Sequence, residues 1–191
     1  MNDEINKDLS DCLAALRAGG LIIYPTDTVW GIGCDATDSN AVRRIFELKQ
    51  RADSKALITL VDSVAALERV VDEVPEVAYQ LLDVAVEPLT VVYDRGIGVA
   101  PELLAEDGSI GVRITTEAFS RELCRRFRRP IVSTSVNYSG VPSPRSFDEI
   151  DPRLLENVDY VCQTGRERPW RSKPSTVIKL SAGGVIKILR N

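Results

Sequence analysis

Three cationic side chains come at the end of one predicted helix, where their spacing suits a small anion. The helical pattern runs over residues 40–50, with Asp38 or Ser39 as the expected N-cap, and Lys49, Arg51 and Lys55 come at its end. Lysine and arginine pair well with carboxylates and phosphates. They also stabilise a helix C-terminus by meeting its macrodipole, so a purely structural role remains an alternative.

Hydroxyl and amide side chains occur at the ends of three predicted strands, in residues 25–28, 133–137 and 174–176. Ligands of open α/β sheets bind beyond strand ends, so these segments are expected to share a site. Residues 25–28 include one carboxylate, Asp27, whereas residues 133–137 carry no strong base. Serine and asparagine also favour hydrogen-bonded turns, which is the structural alternative for residues 133–137.

One arginine interrupts a predicted strand. Residues 109–115 read SIGVRIT, and the alternation places Ile110, Val112 and Ile114 on one face. Arg113 then points to the opposite face, so it can leave the core and line a cavity. A guanidinium in that position can bind a carboxylate through two parallel hydrogen bonds.

Composition excludes several classes of protein. The chain has 191 residues, a net charge of −4 and no histidine, which removes the commonest general base and metal ligand. The cysteines are Cys12, Cys34, Cys124 and Cys162; they form no C-x-x-C pair, so we expect no zinc site and a reducing, cytoplasmic compartment. The polar N-terminus does not resemble a signal peptide, and no apolar run reaches membrane-spanning length.

Common nucleotide-binding and hydrolase motifs are missing from the sequence. There is no G-x-x-x-x-G-K-[ST] and no G-x-G-x-x-G, because the pair Gly31 and Gly33 lacks a third glycine. A Ser-His-Asp set cannot form without histidine. Five arginines, at 121, 125, 126, 128 and 129, lie toward the end of one predicted helix, which ends before Pro130; they indicate a solvated face or an RNA contact.

Alternating helical and extended patterns predict the fold class. Helices are expected over residues 6–18, 40–50 and 147–156, among others, and strands over 21–24, 90–93 and 109–115. The last two strands, 175–180 and 185–189, form a hairpin around Gly183 and Gly184. We therefore predict one α/β domain over residues 1–191, with a mixed parallel and antiparallel sheet and flanking helices.

Several of these motifs together resemble one known family. The chain reads IIYPTDTVWGIGCD, then KQR, then STSVNYSG with VPSP. Lys-x-Arg (Lys49 and Arg51) and Ser-x-Asn (Ser135 and Asn137) are each weak signatures, but with PTDTVWGIG they are specific. The sequence resembles the YrdC-like threonylcarbamoyl-AMP synthases, in their short single-domain form, over about residues 21–190.

The resemblance implies a strongly twisted mixed sheet around a concave, basic cavity. It also implies a reaction in which L-threonine, bicarbonate and ATP, the last carrying Mg²⁺, yield threonylcarbamoyl-AMP and pyrophosphate. The threonylcarbamoyl group then passes, with the help of other proteins, to the adenosine beside the anticodon of tRNAs that read ANN codons. No membrane is involved, and no tightly bound cofactor or protein-held metal is expected.

The resemblance also implies roles for individual residues. Those expected in catalysis are Lys49, Arg51, Ser135 and Asn137. Those expected to bind ATP are Arg51, Lys55, Ser109, Thr134, Val136, Ser143 and Arg190. Those expected to bind L-threonine are Thr26, Arg113 and Ser175.

The sequence departs from the common family pattern near four of its motifs, where Ala52, Glu87, Thr115 and Val136 replace the usual residues. None of these changes removes a charged or hydroxyl contact.

Two other hypotheses on the function stay open. One is a non-catalytic binder of double-stranded RNA or tRNA, similar to a translation factor, which would use the arginine-rich helix. The other is a paralogue with a different carbamoyl acceptor.

Overall fold

The computed structural model describes residues 3–50, 57–167 and 174–191. Its helices are α1 (Asp3–Arg17), α2 (Ser39–Leu48), α3 (Val64–Leu67), α4 (Glu76–Val84), α5 (Ala118–Phe127) and α6 (Pro152–Glu156). Its strands are β1 (Ile22–Tyr24), β2 (Gly31–Gly33), β3 (Ile58–Val61), β4 (Leu89–Tyr93), β5 (Ile110–Ile114), β6 (Ile131–Ser135), β7 (Tyr160–Val161), β8 (Thr176–Leu180) and β9 (Ile186–Arg190).

The strands form one nine-stranded sheet in the order β7-β1-β2-β6-β3-β5-β4-β8-β9. The pairs β1–β7, β3–β5 and β4–β8 are parallel, and the other neighbours are antiparallel. The predicted class, an α/β protein with a mixed sheet, is confirmed. The predicted C-terminal hairpin is also present as β8 and β9.

Helix α2 begins where the sequence pattern predicted. Asp38 is its N-cap, and its carboxylate accepts hydrogen bonds from the backbone N–H groups of Asn40 and Ala41. These bonds satisfy donors that the first helical turn leaves free. Val42 and Ile45 then turn toward the core and are fully buried.

Residues 147–156 do not form the single helix that the pattern predicted. A 3-10 turn at Phe147–Glu149 is separated from α6 by Ile150 and Asp151, neither of which has a helical backbone. Pro152 explains the break, because its ring disfavours the helical conformation for the residue before it. Proline is well tolerated in the first turn of α6, where its missing N–H costs nothing.

Strand β2 was not predicted, because two of its three residues are glycine. It lies between β1 and β6 and is antiparallel to both. A Cβ atom at Gly33 would lie 2.6 Å from the Tyr24 ring and 2.6 Å from the Val132 carbonyl oxygen. Close approach of neighbouring chains therefore requires glycine here, despite its low strand propensity.

This packing predicts that Gly33→Ala destabilises the protein. We expect the free energy of unfolding to fall by about 1–3 kcal/mol, as for other overpacked cores. Gly183→Ala is the matched control, since a Cβ at Gly183 meets no atom within 4 Å. Denaturant titration of both variants measures the difference. Equal stability of the two variants would contradict this account of β2.

The buried apolar side chains form two clusters. The first packs α1, α2 and α5 against the β1, β2 and β6 side of the sheet and includes the fully buried Trp30 and Ile32. The second lies around Leu67, Val91 and Leu180, near β4 and β8. No helix within the described ranges has the length and apolar character needed to span a membrane.

Candidate functional site

A cavity of about 220 Å³ lies where several strands begin or end. We call it the strand-end cavity. Its lining residues in the described part of the chain are Thr26, Thr28, Val29, Gly31, Ile58, Arg113, Ser133, Thr134, Ser135, Ser143, Pro174, Ser175 and Arg190. All three polar strand-end segments therefore meet here. Seven residues predicted for the site line it: Thr26, Arg113, Thr134, Ser135, Ser143, Ser175 and Arg190.

Sheet register explains why residues distant in sequence meet at this cavity. Ser135, at the end of β6, lies opposite Gly31 at the start of β2, and Ser133 lies opposite Ile58 at the start of β3. Strand β5 runs parallel to β3. Side chains alternate between the two faces of β5, so Arg113 points to the face opposite Ile110 and Val112, where it lines the cavity.

Arg113 forms a buried ion pair that the sequence analysis did not predict. Its Nη2 atom lies 3.0 Å from Oδ1 of Asp27, and the two side chains are only 3% and 5% exposed. Within the described ranges, Nε of Arg113 has no hydrogen-bond partner. Because a buried guanidinium N–H is costly to leave unsatisfied, this atom is available for a ligand's carboxylate.

Thr26 and Thr28 form a small hydroxyl turn after β1. The Thr26 hydroxyl donates to the Val29 carbonyl oxygen at 2.7 Å. Its oxygen also accepts the backbone N–H of Thr28 at 3.2 Å, and the two threonine hydroxyls lie 3.1 Å apart. Turns of this kind are common for threonine, but here both hydroxyls also border the cavity.

The opposite wall is held by Ser175 and Arg190. Nε and Nη2 of Arg190 donate to the Ser175 carbonyl oxygen at 3.1 and 3.0 Å, and the Ser175 hydroxyl lies 2.8 Å from that of Thr90. Partial burial, and to a lesser degree the charge of Arg113, lower the pKa of Arg190. Two arginines therefore face one small cavity, which favours an anionic ligand.

Lys49, which the resemblance places in catalysis, is held by backbone carbonyl groups. Its side chain is fully buried, and Nζ donates to the backbone carbonyl oxygens of Ser135 and Asn137, the latter at 2.7 Å. It is not among the described residues that line the strand-end cavity. Its ammonium group therefore fixes the backbone of the Ser-x-Asn segment.

Asn137 stabilises the loop that follows the Ser-x-Asn segment. Its amide nitrogen donates to the carbonyl oxygens of Tyr138 and Val141 at 3.0 and 2.6 Å, and its Oδ1 accepts the Ser143 hydroxyl at 3.4 Å. Val136 is buried. Neither Asn137 nor Val136 lines the cavity among the described residues, whereas Ser143 does. Asn137 thus shapes the loop that carries Ser143.

A second cavity, of about 540 Å³, adjoins the first and contains the predicted residue Ser109. We call it the Ser109 cavity. It shares Ile58 and Arg190 with the strand-end cavity, and its other walls include Thr90, Gly111 and Lys179. Its volume falls in the range of about 300–1,000 Å³ that suits ligands of nucleotide size. Arg51 and Lys55 lie outside the described residues.

The arginine-rich helix α5 carries fewer free charges than the sequence suggested. Arg125 and Arg126 both pair with Glu122 at 2.6 Å, and Arg129 pairs with Asp35 at 2.8 Å. These ion pairs offset much of the positive charge that a phosphate backbone would meet.

One buried group could in principle hold a metal ion in the described part of the chain: Asp8, Cys12 and Cys162. Both carboxylate oxygens of Asp8 already accept hydrogen bonds, from the Tyr160 hydroxyl and from the backbone N–H groups of residues 163 and 164. The carboxylate therefore anchors this loop to α1.

Fold and site together define a class: an α/β protein with a mixed sheet and, where several strands begin or end, a small cavity with two arginines and several hydroxyls. The chain belongs to the Sua5/YciO/YrdC family, whose model, described as telomere recombination, matches residues 14–191. A threonylcarbamoyl-AMP synthase from Stenotrophomonas maltophilia (strain K279a) is 36% identical over 183 residues, which cover 94% of this chain and 97% of that protein.

Solved structures agree with this assignment. E. coli YciO matches with a TM-score of 0.84 at 26% identity, over 100% of this chain and 91% of that one. The crystal structure of P. abyssi Sua5 complexed with L-threonine matches with a TM-score of 0.82 at 32% identity. That match covers 94% of this chain and 52% of the other, so the chain spans about half the length of P. abyssi Sua5.

Proposed function

We propose that this protein is an L-threonylcarbamoyladenylate synthase, a nucleotidyltransferase that uses L-threonine, bicarbonate and ATP. The observation that carries the proposal is the strand-end cavity, where the unsatisfied Nε of Arg113 lies among threonine and serine hydroxyls. The relative from S. maltophilia bears the name of this activity. The L-threonine complex of P. abyssi Sua5 supports the amino-acid substrate.

The reaction consists of two bond exchanges. The threonine nitrogen forms a bond to the bicarbonate carbon, and water leaves as the carbamate forms. A carbamate oxygen then attacks the α-phosphorus of ATP, and the bond to the bridging oxygen breaks to release pyrophosphate. Such transfers depend on alignment and charge neutralisation, so the absence of histidine is no obstacle.

The two cavities divide the substrates between them. Arg113 binds the threonine carboxylate, with Thr26 and Ser175 close to the amino acid's other polar groups. The nucleotide occupies the Ser109 cavity and reaches the first cavity past Arg190, with Thr134, Ser135 and Ser143 near its phosphates. Arg51 and Lys55 contact the phosphates of ATP, which enters with its Mg²⁺ as part of the substrate.

Lys49 and Asn137 hold the backbone that carries the substrate-binding residues and do not contact the substrates themselves. Lys49 holds the carbonyl oxygens of Ser135 and Asn137, and Asn137 holds the segment that carries Ser143. We therefore assign both to positioning, together with buried Val136. The product then serves tRNA modification in the cytoplasm, where other proteins complete the transfer beside the anticodon.

The proposal is tested by substrate dependence. Purified protein is incubated with ATP and Mg²⁺, and pyrophosphate is measured with L-threonine and bicarbonate added singly and together. We expect release only when both are present. Serine and glycine in place of threonine distinguish a paralogue with another acceptor. Release without any amino acid would reject the proposal.

Neutralisation of α5 should leave the synthase reaction intact. We expect a variant with Arg125, Arg126, Arg128 and Arg129 changed to glutamine to bind tRNA less tightly. The salt dependence of binding should also be shallower, because fewer counterions leave the tRNA when fewer cations contact its phosphates. Threonine-dependent pyrophosphate release should not change. Loss of that release in a folded variant would place the helix in the synthase site and favour an RNA-linked function.

A further inference from the structure

We propose that Thr28 contacts the amino-acid substrate directly and accepts a hydrogen bond from it, while Thr26 holds Thr28 in place. This inference rests on the proposed function, since it concerns the threonine that the strand-end cavity would bind. It adds a substrate contact that the sequence motif did not indicate, because the pattern drew attention to Thr26 alone.

The hydroxyl of Thr26 has no capacity left for a ligand. A hydroxyl has one proton to donate and two lone pairs with which to accept. The proton goes to the Val29 carbonyl oxygen at 2.7 Å, which can only accept. One lone pair accepts the Thr28 N–H at 3.2 Å. The 3.1 Å contact between the hydroxyls must then be donated by Thr28 to Thr26, which fills the second lone pair.

The hydroxyl of Thr28, in contrast, can still accept hydrogen bonds. Its proton is used on Thr26, but its two lone pairs have no partner among the described residues. Thr28 as a whole is 4% exposed and lines the strand-end cavity. A ligand in the cavity would therefore meet an acceptor to which no described side chain or backbone group donates.

The donor must be an O–H or N–H group of the substrate. An acceptor cannot bind the carboxylate, which Arg113 takes in the proposed function. Threonine carries two donors, its side-chain hydroxyl and its nitrogen, which keeps one N–H as a carbamate. A site that hydrogen-bonds a substrate hydroxyl rejects analogues that lack it, so Thr28 would contribute to amino-acid selectivity.

Titration calorimetry of Thr28→Val and Thr28→Ser tests the inference, with the whole protein and with L-threonine and L-2-aminobutyrate as ligands. Valine has nearly the same shape but no acceptor, so we expect about a ten- to hundred-fold loss of threonine affinity. Serine keeps the hydroxyl and should retain most of the affinity. Calorimetric binding of ATP and the melting temperature should stay near the wild-type values in both variants.

The aminobutyrate arm identifies the donor. If Thr28→Val weakens threonine but not aminobutyrate, the donor is the side-chain hydroxyl; an equal loss for both ligands assigns it to the nitrogen. An unchanged affinity for threonine overturns the inference. If Thr28→Val does not fold, Thr28→Ala provides the same comparison. Failure of the wild-type protein to bind threonine would instead count against the proposed function.

Discussion

Replacement of Arg113 by alanine is expected to weaken L-threonine binding about ten- to hundred-fold while ATP binding changes little. The loss of a hydrogen bond to a charged group costs about 1.5–3 kcal/mol, which corresponds to that range of affinity. Arg113→Lys should recover only part of the affinity, because a single ammonium cannot reproduce two parallel hydrogen bonds. Calorimetric titration of each ligand into each variant measures the effects.

The buried partner of Arg113 provides the control for this experiment. Removal of the guanidinium leaves the Asp27 carboxylate buried without its counter-ion, which typically destabilises a protein by about 3–5 kcal/mol. The double variant Arg113→Ala/Asp27→Asn removes both charges and should recover much of that stability. It should not recover threonine affinity. Equal losses of affinity for ATP and threonine, or recovery of threonine binding in the double variant, would remove Arg113 from the amino-acid pocket.

Lys49→Met is expected to reduce both stability and synthase activity. Methionine fills a similar volume but cannot donate to the carbonyl oxygens of Ser135 and Asn137, each of which then loses a charged donor. We expect a loss of about 2–4 kcal/mol in the free energy of unfolding, since charged hydrogen bonds contribute about 1.5–3 kcal/mol each and are not fully additive. Pyrophosphate release should fall at least ten-fold, as the segment that carries Ser135 loosens.

Lys7→Met is the matched control for this change. Lys7 also pairs with another residue, Asp11, but its side chain is 78% exposed. Surface pairs of this kind contribute little to stability, so its variant should remain close to wild type. A Lys49→Met protein with wild-type stability but no activity would mean that the ammonium acts on the phosphates directly, as the sequence motif suggested.

Local sequence patterns predicted those helices and strands that are determined by residues close together in the sequence. Capping chemistry located the start of α2 at Asp38 or Ser39, of which Asp38 is the N-cap, and alternation located β5 and placed Arg113 on the face opposite its apolar side chains. Strand-end reasoning also brought the three polar segments to one place, because register and direction largely determine where strand ends lie. In these cases each residue's neighbours in sequence carry most of the information.

The features that the sequence did not indicate depend on partners that are distant in sequence. Lys49 meets carbonyl groups 86 and 88 residues away, so its position in a Lys-x-Arg motif did not reveal its burial. Asp27 and Arg113 are likewise far apart, and nothing local marks them as a pair. Strand β2 was missed because its glycines are required by neighbouring strands rather than by strand propensity.

The most direct test of the proposed function follows the carbon of bicarbonate. Protein, Mg²⁺, ATP, L-threonine and ¹³C-bicarbonate are mixed, and the nucleotides are analysed by mass spectrometry alongside pyrophosphate. The proposed function predicts threonylcarbamoyl-AMP that carries one ¹³C atom, formed in equal amount with pyrophosphate and absent when any substrate is omitted. Pyrophosphate accompanied only by AMP, or an adenylate without the label, would contradict it.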